Sequence, residues 1–274
     1  MNPIRSLRAT FANFTAGGAS LIAIVPIYIV FVNALKTQAE ASSMGPELPA
    51  VPQWANFGTV VDQGKLMTAF INSALYSLGG TVLAVFLSAL AAYVLARRRT
   101  RRHQVIYLLL IAGIAIPTNF VTLMKVMQVT GLIDSQLGMI LLYAATQIPF
   151  SVFLIYAFID TLPQELDEAA FIDGCTPIRT FFSIILPMLT PVLVTCGVLS
   201  ILNIWNEFLM PLYFVNSTDK WPMTLAIYQF FGMFQSDWSL VSADVVLTIL
   251  PVILIYIVAQ RWILSGMSAG AVKG

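Results

Sequence analysis

Cys196, Ser200, Asn203 and Glu207 recur at intervals of four, three and four residues inside an otherwise apolar run, with Asn206 adjacent. That spacing puts all four on one face of a helix. A carboxylate costs roughly 2.5–3.5 kcal/mol at the centre of a membrane span, so such a face is expected to point into a helix bundle. Two chemical uses are open there. Amides and carboxylates can hydrogen-bond the hydroxyls of a solute, or the stripe can tie its helix to a neighbouring one. Glu207 lies toward the end of the run, where its charge can reach water. A second segment, residues 161–191, reads TLPQELDEAAFIDGCTPIRTFFSIILPMLTP. Thr161 with Gln164 makes a capping-box pattern that predicts a helix start. Leu162, Leu166, Ala169 and Ala170 then recur at helical spacing. Gly174 stands where a chain needing positive φ ends a helix, and a second helix is expected from Pro177 into the next apolar run.

Other chemistry is excluded by residue supply. A phosphate-cradling loop needs G-x-x-x-x-G-K-[S/T], but at Gly64-Lys65 the first glycine position is Thr59 and the hydroxyl position is Leu66. One histidine, His103, lies beside an arginine cluster and reads as an interfacial residue. Cys175 and Cys196 give neither a disulfide framework nor a metal-ligand spacing. No catalytic residue, metal site or cofactor is expected, and the net charge of +1 gives no reason to expect nucleic acid.

The elements that must position these residues are membrane helices. The chain is 58% hydrophobic and only 10% charged, with a mean hydropathy of +0.85, where a soluble domain carries about 25% charge. Apolar runs long enough to span, about 20 residues each, fall near 16–35, 69–96, 104–126, 138–159, 187–214 and 243–264. The first follows Arg5 and Arg8 and precedes a cleavage-like Gln38-Ala39-Glu40-Ala41. Its length exceeds a signal h-region of about 7–15 residues, so it is read as a retained anchor. With the N-terminus cytoplasmic, Arg5, Arg8, Arg97, Arg98, Arg99, Arg101, Arg102, Arg179, Arg261 and Lys273 fall inside, and Lys36, Lys65, Lys125 and Lys220 outside. This division of the 14 basic residues, ten against four, follows the resistance of basic residues to translocation and places both termini in the cytoplasm. In the second run Ser73, Ser77, Thr81, Ala84 and Ser88 form a small-residue face suited to close helix packing. Pro26, Pro117, Pro149 and Pro251 lie inside apolar runs and are read as shaping kinks.

The sequence Glu168-Ala169-Ala170, then Asp173-Gly174, then Ile185-Leu186-Pro187 resembles the EAA motif of ABC importer permeases. The cysteine after the glycine is a mild departure. The resemblance implies an all-α integral membrane protein with six transmembrane helices, the type I ABC importer permease fold and a cytoplasmic coupling helix. By the same resemblance, Glu168, Ala169, Ala170, Asp173 and Gly174 couple to an ATP-hydrolysing subunit. Trp205-Asn206-Glu207-Phe208 and the ending Gly270-Ala271-Val272-Lys273-Gly274 are similar to the second permease subunit of maltose-type sugar importers, over nearly the whole chain.

That family implies one permease domain over 1–274, with an anchor helix at about 16–35 and core helices at about 69–264. It also implies a coupling loop at 161–186 and an exterior loop at 215–242 that probes a soluble substrate-binding protein. The implied partners are a second permease subunit, an ATP-binding subunit dimer that the C-terminal tail reaches, the binding protein and membrane lipid, in the cell inner membrane. Ser200, Asn203, Asn206 and Glu207 are then candidates for the translocation path. Tyr228 and Phe231, among Trp221, Phe230, Phe234 and Trp238, are candidates for the binding-protein contact. A sugar or oligosaccharide is the expected solute, and a glycerol phosphate compound the alternative. An ion-coupled secondary transporter would use intramembrane carboxylates such as Glu207 and Asp244, but it leaves the EAA segment without a role.

Overall fold

The computed structural model describes residues 3–231 and 236–271, with backbone alone for residues 3–12, 16, 19 and 261–271. Of the sequence expectations, Phe234 and the last three residues of the C-terminal motif lie outside the described residues. The described chain is helical, and its one β-type pairing is an isolated bridge between Phe231 and Ser236.

The elements run in order as follows. Helix α1 (Pro3–Ala34) is followed by the single turn α2 (Gln38–Ala41) and by α3 (Ala55–Gln63). The long α4 (Leu66–Arg97) leads to α5 (Arg101–Ala115), α6 (Phe120–Val129) and α7 (Gln136–Ile159). Then come the short α8 (Glu165–Ile172), α9 (Pro177–Thr180), a π-helical turn at Phe181–Ile185, α10 (Leu186–Met188) and α11 (Thr190–Trp205). The chain closes with α12 (Leu209–Phe214), α13 (Met223–Ala226) and α14 (Trp238–Ala271).

Among the described residues, four helices are long and apolar enough to cross a membrane, and two bent pairs raise the number to six when each pair is one span. The expected third span, 104–126, is not straight: α5 and α6 meet at 115°. Pro117 sits in that break, where the chain lacks a backbone donor, and the Asn119 side chain restarts the helix by accepting from Thr122 N. Pro26, Pro149 and Pro251 remain inside their helices. The expected fifth span, 187–214, is also broken. Residues Pro177–Met188 meet Thr190–Trp205 at 74°, and the helix stops at Trp205. The cleavage-like stretch after α1 is itself folded, as Thr37 and Glu40 form a reciprocal capping box around α2 and Ala41 is buried.

The chain forms two compact units. In Met1–Met67 with Ala226–Pro251, Asn33 donates to Gly45 O at 2.9 Å and Asn56 to Ala34 O at 2.9 Å, closing the loop after α1. Within the same unit, Gln229 donates to Gly64 O at 3.2 Å. In Thr68–Leu225 with Val252–Gly274, the small-residue face of α4 is packed: Ser73, Ser77, Thr81, Ala84 and Ser88 are all buried. A Cβ at Gly80 would come within 3.0 Å of Tyr143 Cβ and 3.1 Å of Ile204 Cδ1, so glycine sets how closely α4 meets α7 and α11. Two clusters follow along α4. One gathers Tyr76, Met139, Tyr143 and Phe214; the other gathers Ala89, Ala92, Ile155, Ile185 and Leu189.

Candidate functional site

Helix α8 carries the expected coupling residues. The capping box read at Thr161 is not made: the Thr161 hydroxyl donates to Phe158 O at 2.7 Å, finishing α7, and α8 starts behind Gln164 without a side-chain cap. The turn at Pro163 explains this, because the residue before proline is driven out of helical geometry and separates Thr161 from α8. Three acidic residues in the first turn, Glu165, Asp167 and Glu168, face the positive end of the helix dipole instead. The helix ends as expected. Gly174 has φ +76°, Gly174 N donates to Phe171 O and Cys175 N to Ala170 O, the paired bonds of a Schellman stop.

Burial divides α8 into two faces. Ala170 is buried and Leu166 and Asp167 are half-buried, while Glu168, Ala169, Asp173 and Gly174 are exposed. At the tip Phe171 is 80% exposed, Ile172 82% and Ile178 73%. Large apolar side chains displayed together on a polar loop are the mark of a surface that something else covers. Residue typing in the sequence did not single these three out, since each is ordinary in an apolar chain. Asp167 was missed as well. Its Oδ1 accepts from Tyr93 Oη at 2.5 Å and its Oδ2 lies 2.8 Å from Arg97 Nε.

The polar stripe of α11 is split. Cys196 and Ser200 are buried inside the unit, whereas Asn203 and Asn206 are exposed. Asn206 Nδ2 donates to Leu202 O at 2.7 Å. Glu207 lies beyond the helix end, and its carboxylate accepts from Leu209 N at 3.1 Å and Met210 N at 2.7 Å. It therefore caps α12. Ser200 and Asn203 share a helical face, but the structure brings Glu207 to a different task. In the other unit Asp244 is fully buried, with Oδ1 accepting from Thr248 at 3.2 Å. No group of three or more His, Cys, Asp or Glu converges among the described residues.

Residues 216–223 form a strap gripped from several sides. Asp134, at φ +52°, accepts from Asn216 N and Ser217 N at 3.0 Å each and from Ser217 Oγ at 2.5 Å. Lys220 Nζ lies 3.2 Å from its Oδ2. Partial burial pushes the Asp134 carboxyl up, but the bonds from Ser217 and the Lys220 ammonium outweigh that and hold it at about 2. From α4, Asn72 donates to Asp219 O at 2.8 Å, Tyr76 to Lys220 O at 2.8 Å, and Ser73 Oγ accepts from Met223 N at 2.8 Å. Trp221, grouped with the aromatics of the exterior segment, packs partly buried against the Tyr76 cluster and donates to Val215 O. Phe230 is buried too. Tyr228 and Phe231 remain outward, 41% and 39% exposed, with ring centroids 5.7 Å apart.

Residues 84–268 match the family described as the binding-protein-dependent transport system inner membrane component. The diacetylchitobiose uptake system permease protein NgcG of Streptomyces coelicolor is 33% identical over 93% of this chain and 85% of its own length. The melibiose/raffinose/stachyose import permease protein MelC of Bacillus subtilis is 32% identical over 91% of each chain. A chain from the crystal structure of a bacterial ABC transporter that imports the acidic polysaccharide alginate superposes with a TM-score of 0.81 at 21% identity, covering 95% of this chain and 98% of that one. This chain therefore belongs to the binding-protein-dependent inner membrane component family. It is a multi-pass ABC importer permease of the type I fold.

Proposed function

We propose that the chain forms half of the translocation path of an importer for sugars or oligosaccharides, driven by ATP hydrolysis on a separate ATP-binding subunit dimer. The observation that carries the coupling is α8, a short helix whose Glu168, Phe171 and Ile172 project from the rest of the unit. An apolar tip with a charged neighbour suits insertion into a groove, and α8 is the segment bearing the EAA residues Glu168, Ala169, Ala170, Asp173 and Gly174. The solute class rests on relatives whose names describe import of diacetylchitobiose and of melibiose, raffinose and stachyose. A second permease subunit completes the path, with the exposed Asn203 and Asn206 facing it or the solute. A soluble binding protein meets the side bearing Tyr228 and Phe231. Both termini and α8 are cytoplasmic, as the basic residues divide.

Uptake of labelled di- and trisaccharides into vesicles containing the assembled importer, its binding protein and internal ATP tests the reading. Uptake that requires all three is the expected result. Transport of glycerol phosphate with every sugar refused would overturn the carbohydrate assignment. Modification of the exposed position in an Ala169→Cys variant lacking Cys175 and Cys196, from outside intact cells by an impermeant reagent, would overturn the orientation.

A further inference from the structure

We infer that Tyr93, Arg97 and Asp167 are the positioning residues that make α8 and α4 move together, an inference resting on the reading of α8 as the helix that engages the ATPase. Of the acidic residues in the first turn of α8, Glu165 and Glu168 are exposed, and only Asp167 turns inward. Its two oxygens are held separately. Oδ1 takes the Tyr93 hydroxyl at 2.5 Å, and Oδ2 lies 2.8 Å from Arg97 Nε. Tyr93 and Arg97 are four residues apart and so share one face of α4.

The Arg97 guanidinium also donates to Leu162 O at 3.2 Å and Pro163 O at 3.3 Å. One side chain thus holds both the segment entering α8 and the helix itself. The Tyr93 ring meets buried Phe181 at 5.3 Å, at the start of the π-helical turn that follows α9. The triad therefore joins three elements: α4, α8 and the start of the second bent pair.

Burial separates this triad from ordinary surface pairing. The side chains of Arg97 and Asp167 are 13% and 22% exposed, whereas the nearby Arg99–Asp160 pair is 55% and 40% exposed. Exposed pairs are screened and contribute little. A shielded pair is screened less, and removing one partner leaves an uncompensated charge. The remaining inward contacts of α8 are Leu166 and the small Ala170, which can slide. The Tyr93 hydrogen bond to Asp167 sets register and the Arg97 ion pair holds the helix close, so a push on α8 reaches α4 without slip.

The complete importer in proteoliposomes, with binding protein present, gives the test: solute taken up per ATP hydrolysed. Asp167→Ala should lower that ratio about tenfold, the size of a typical coupling free energy between sites. Tyr93→Phe, which leaves the ion pair in place, should lower it about threefold. A wild-type ratio for both Asp167→Ala and Tyr93→Phe would overturn the inference. If Asp167→Ala fails to assemble, Tyr93→Phe decides alone, and a wild-type ratio there overturns it. Cross-linking from Ile172→Cys to the ATPase separates the two levels. No capture in the otherwise wild-type complex would remove the coupling reading and this inference with it; capture with unchanged ratios would remove only the triad.

Discussion

Residues 216–223 accept from Asn72 and Tyr76 and donate to Ser73 and Asp134, whereas α8 is held by Tyr93 and Arg97 acting on one aspartate. Both segments are gripped by α4, at opposite ends. The 21 steps from Tyr76 to Arg97 along α4 correspond to about 32 Å of helix, close to the roughly 30 Å of a hydrocarbon core. One end of α4 is bolted to a strap through many short bonds, and the other is joined to a stub mainly through the single carboxylate of Asp167. The difference suits different tasks. A strap fixed at many points presents a preformed surface, which costs a partner little ordering to bind. A stub locked to α4 through one carboxylate, with its apolar tip exposed, can be pushed by a partner and pass that push on.

The largest effect on the chain itself is expected at the bolted end. Asp134→Ala removes the acceptor of Ser217 and the partner of Lys220, at a cost of about 3 kcal/mol. The thermal unfolding midpoint in detergent should fall, and residues 216–223 should become sensitive to protease. Acid should act at the same place. The Asp134 carboxyl lies below its ordinary 3.8, at about 2, so its stabilisation is fully present above pH 3.8 and is lost as pH falls through about 2. Pepsin cleavage within the strap should be slow near the upper limit of that window and rise toward the lower one. Cleavage unaffected by pH or by Asp134→Ala would show that the strap is held by α4 alone.

An intermediate effect is expected at Gly174. Its φ is +76° and no atom lies within 4 Å of where a Cβ would stand, so a side chain there meets backbone strain and no clash. Gly174→Val should cost about 1–2 kcal/mol locally, leave membrane insertion intact and abolish uptake. Gly174→Asn, which tolerates the left-handed region, should keep much of the uptake; equal loss in both would show that space and not φ governs the turn. The smallest effect on stability belongs to the tip. Phe171→Ser and Ile172→Ser should shift unfolding by less than about 0.5 kcal/mol, yet weaken ATPase binding about tenfold each if they anchor the groove. A tip variant that binds the ATPase normally would leave Glu168 as the main contact.

What was legible in the sequence was local. Hydropathy marked the spans because lipid demands continuous apolar stretches, and the spacing from Ser73 to Ser88 marked a packed face because helical period and small side chains are both written in order. Gly174 was legible because few other residues stop a helix in that way. Two local signals misled. The Thr161–Gln164 spacing matched a cap, but Pro163 forced the chain out of register. The stripe ending at Glu207 had helical spacing, but α11 had already ended at Trp205. The pairs that hold the sites together were illegible for a different reason. Tyr93 and Asp167 are 74 residues apart and Asp134 and Ser217 are 83 apart, and no periodicity links positions so distant. Arg97 was visible in the sequence only as one more positive charge.

The break at Pro117 has a further consequence for the lipid around the protein. Helix α5 has 15 residues, about 22 Å at 1.5 Å per residue, which falls short of a typical hydrocarbon thickness. Its exposed Val105, Leu108 and Leu109 therefore match a thinner bilayer than α4 or α14 does. The protein should pull the membrane inward along this flank, and mismatch of this kind costs fractions of a kcal/mol for each ångström. Vesicles built from longer acyl chains should accordingly slow uptake, and shorter ones restore it, with no change in any residue.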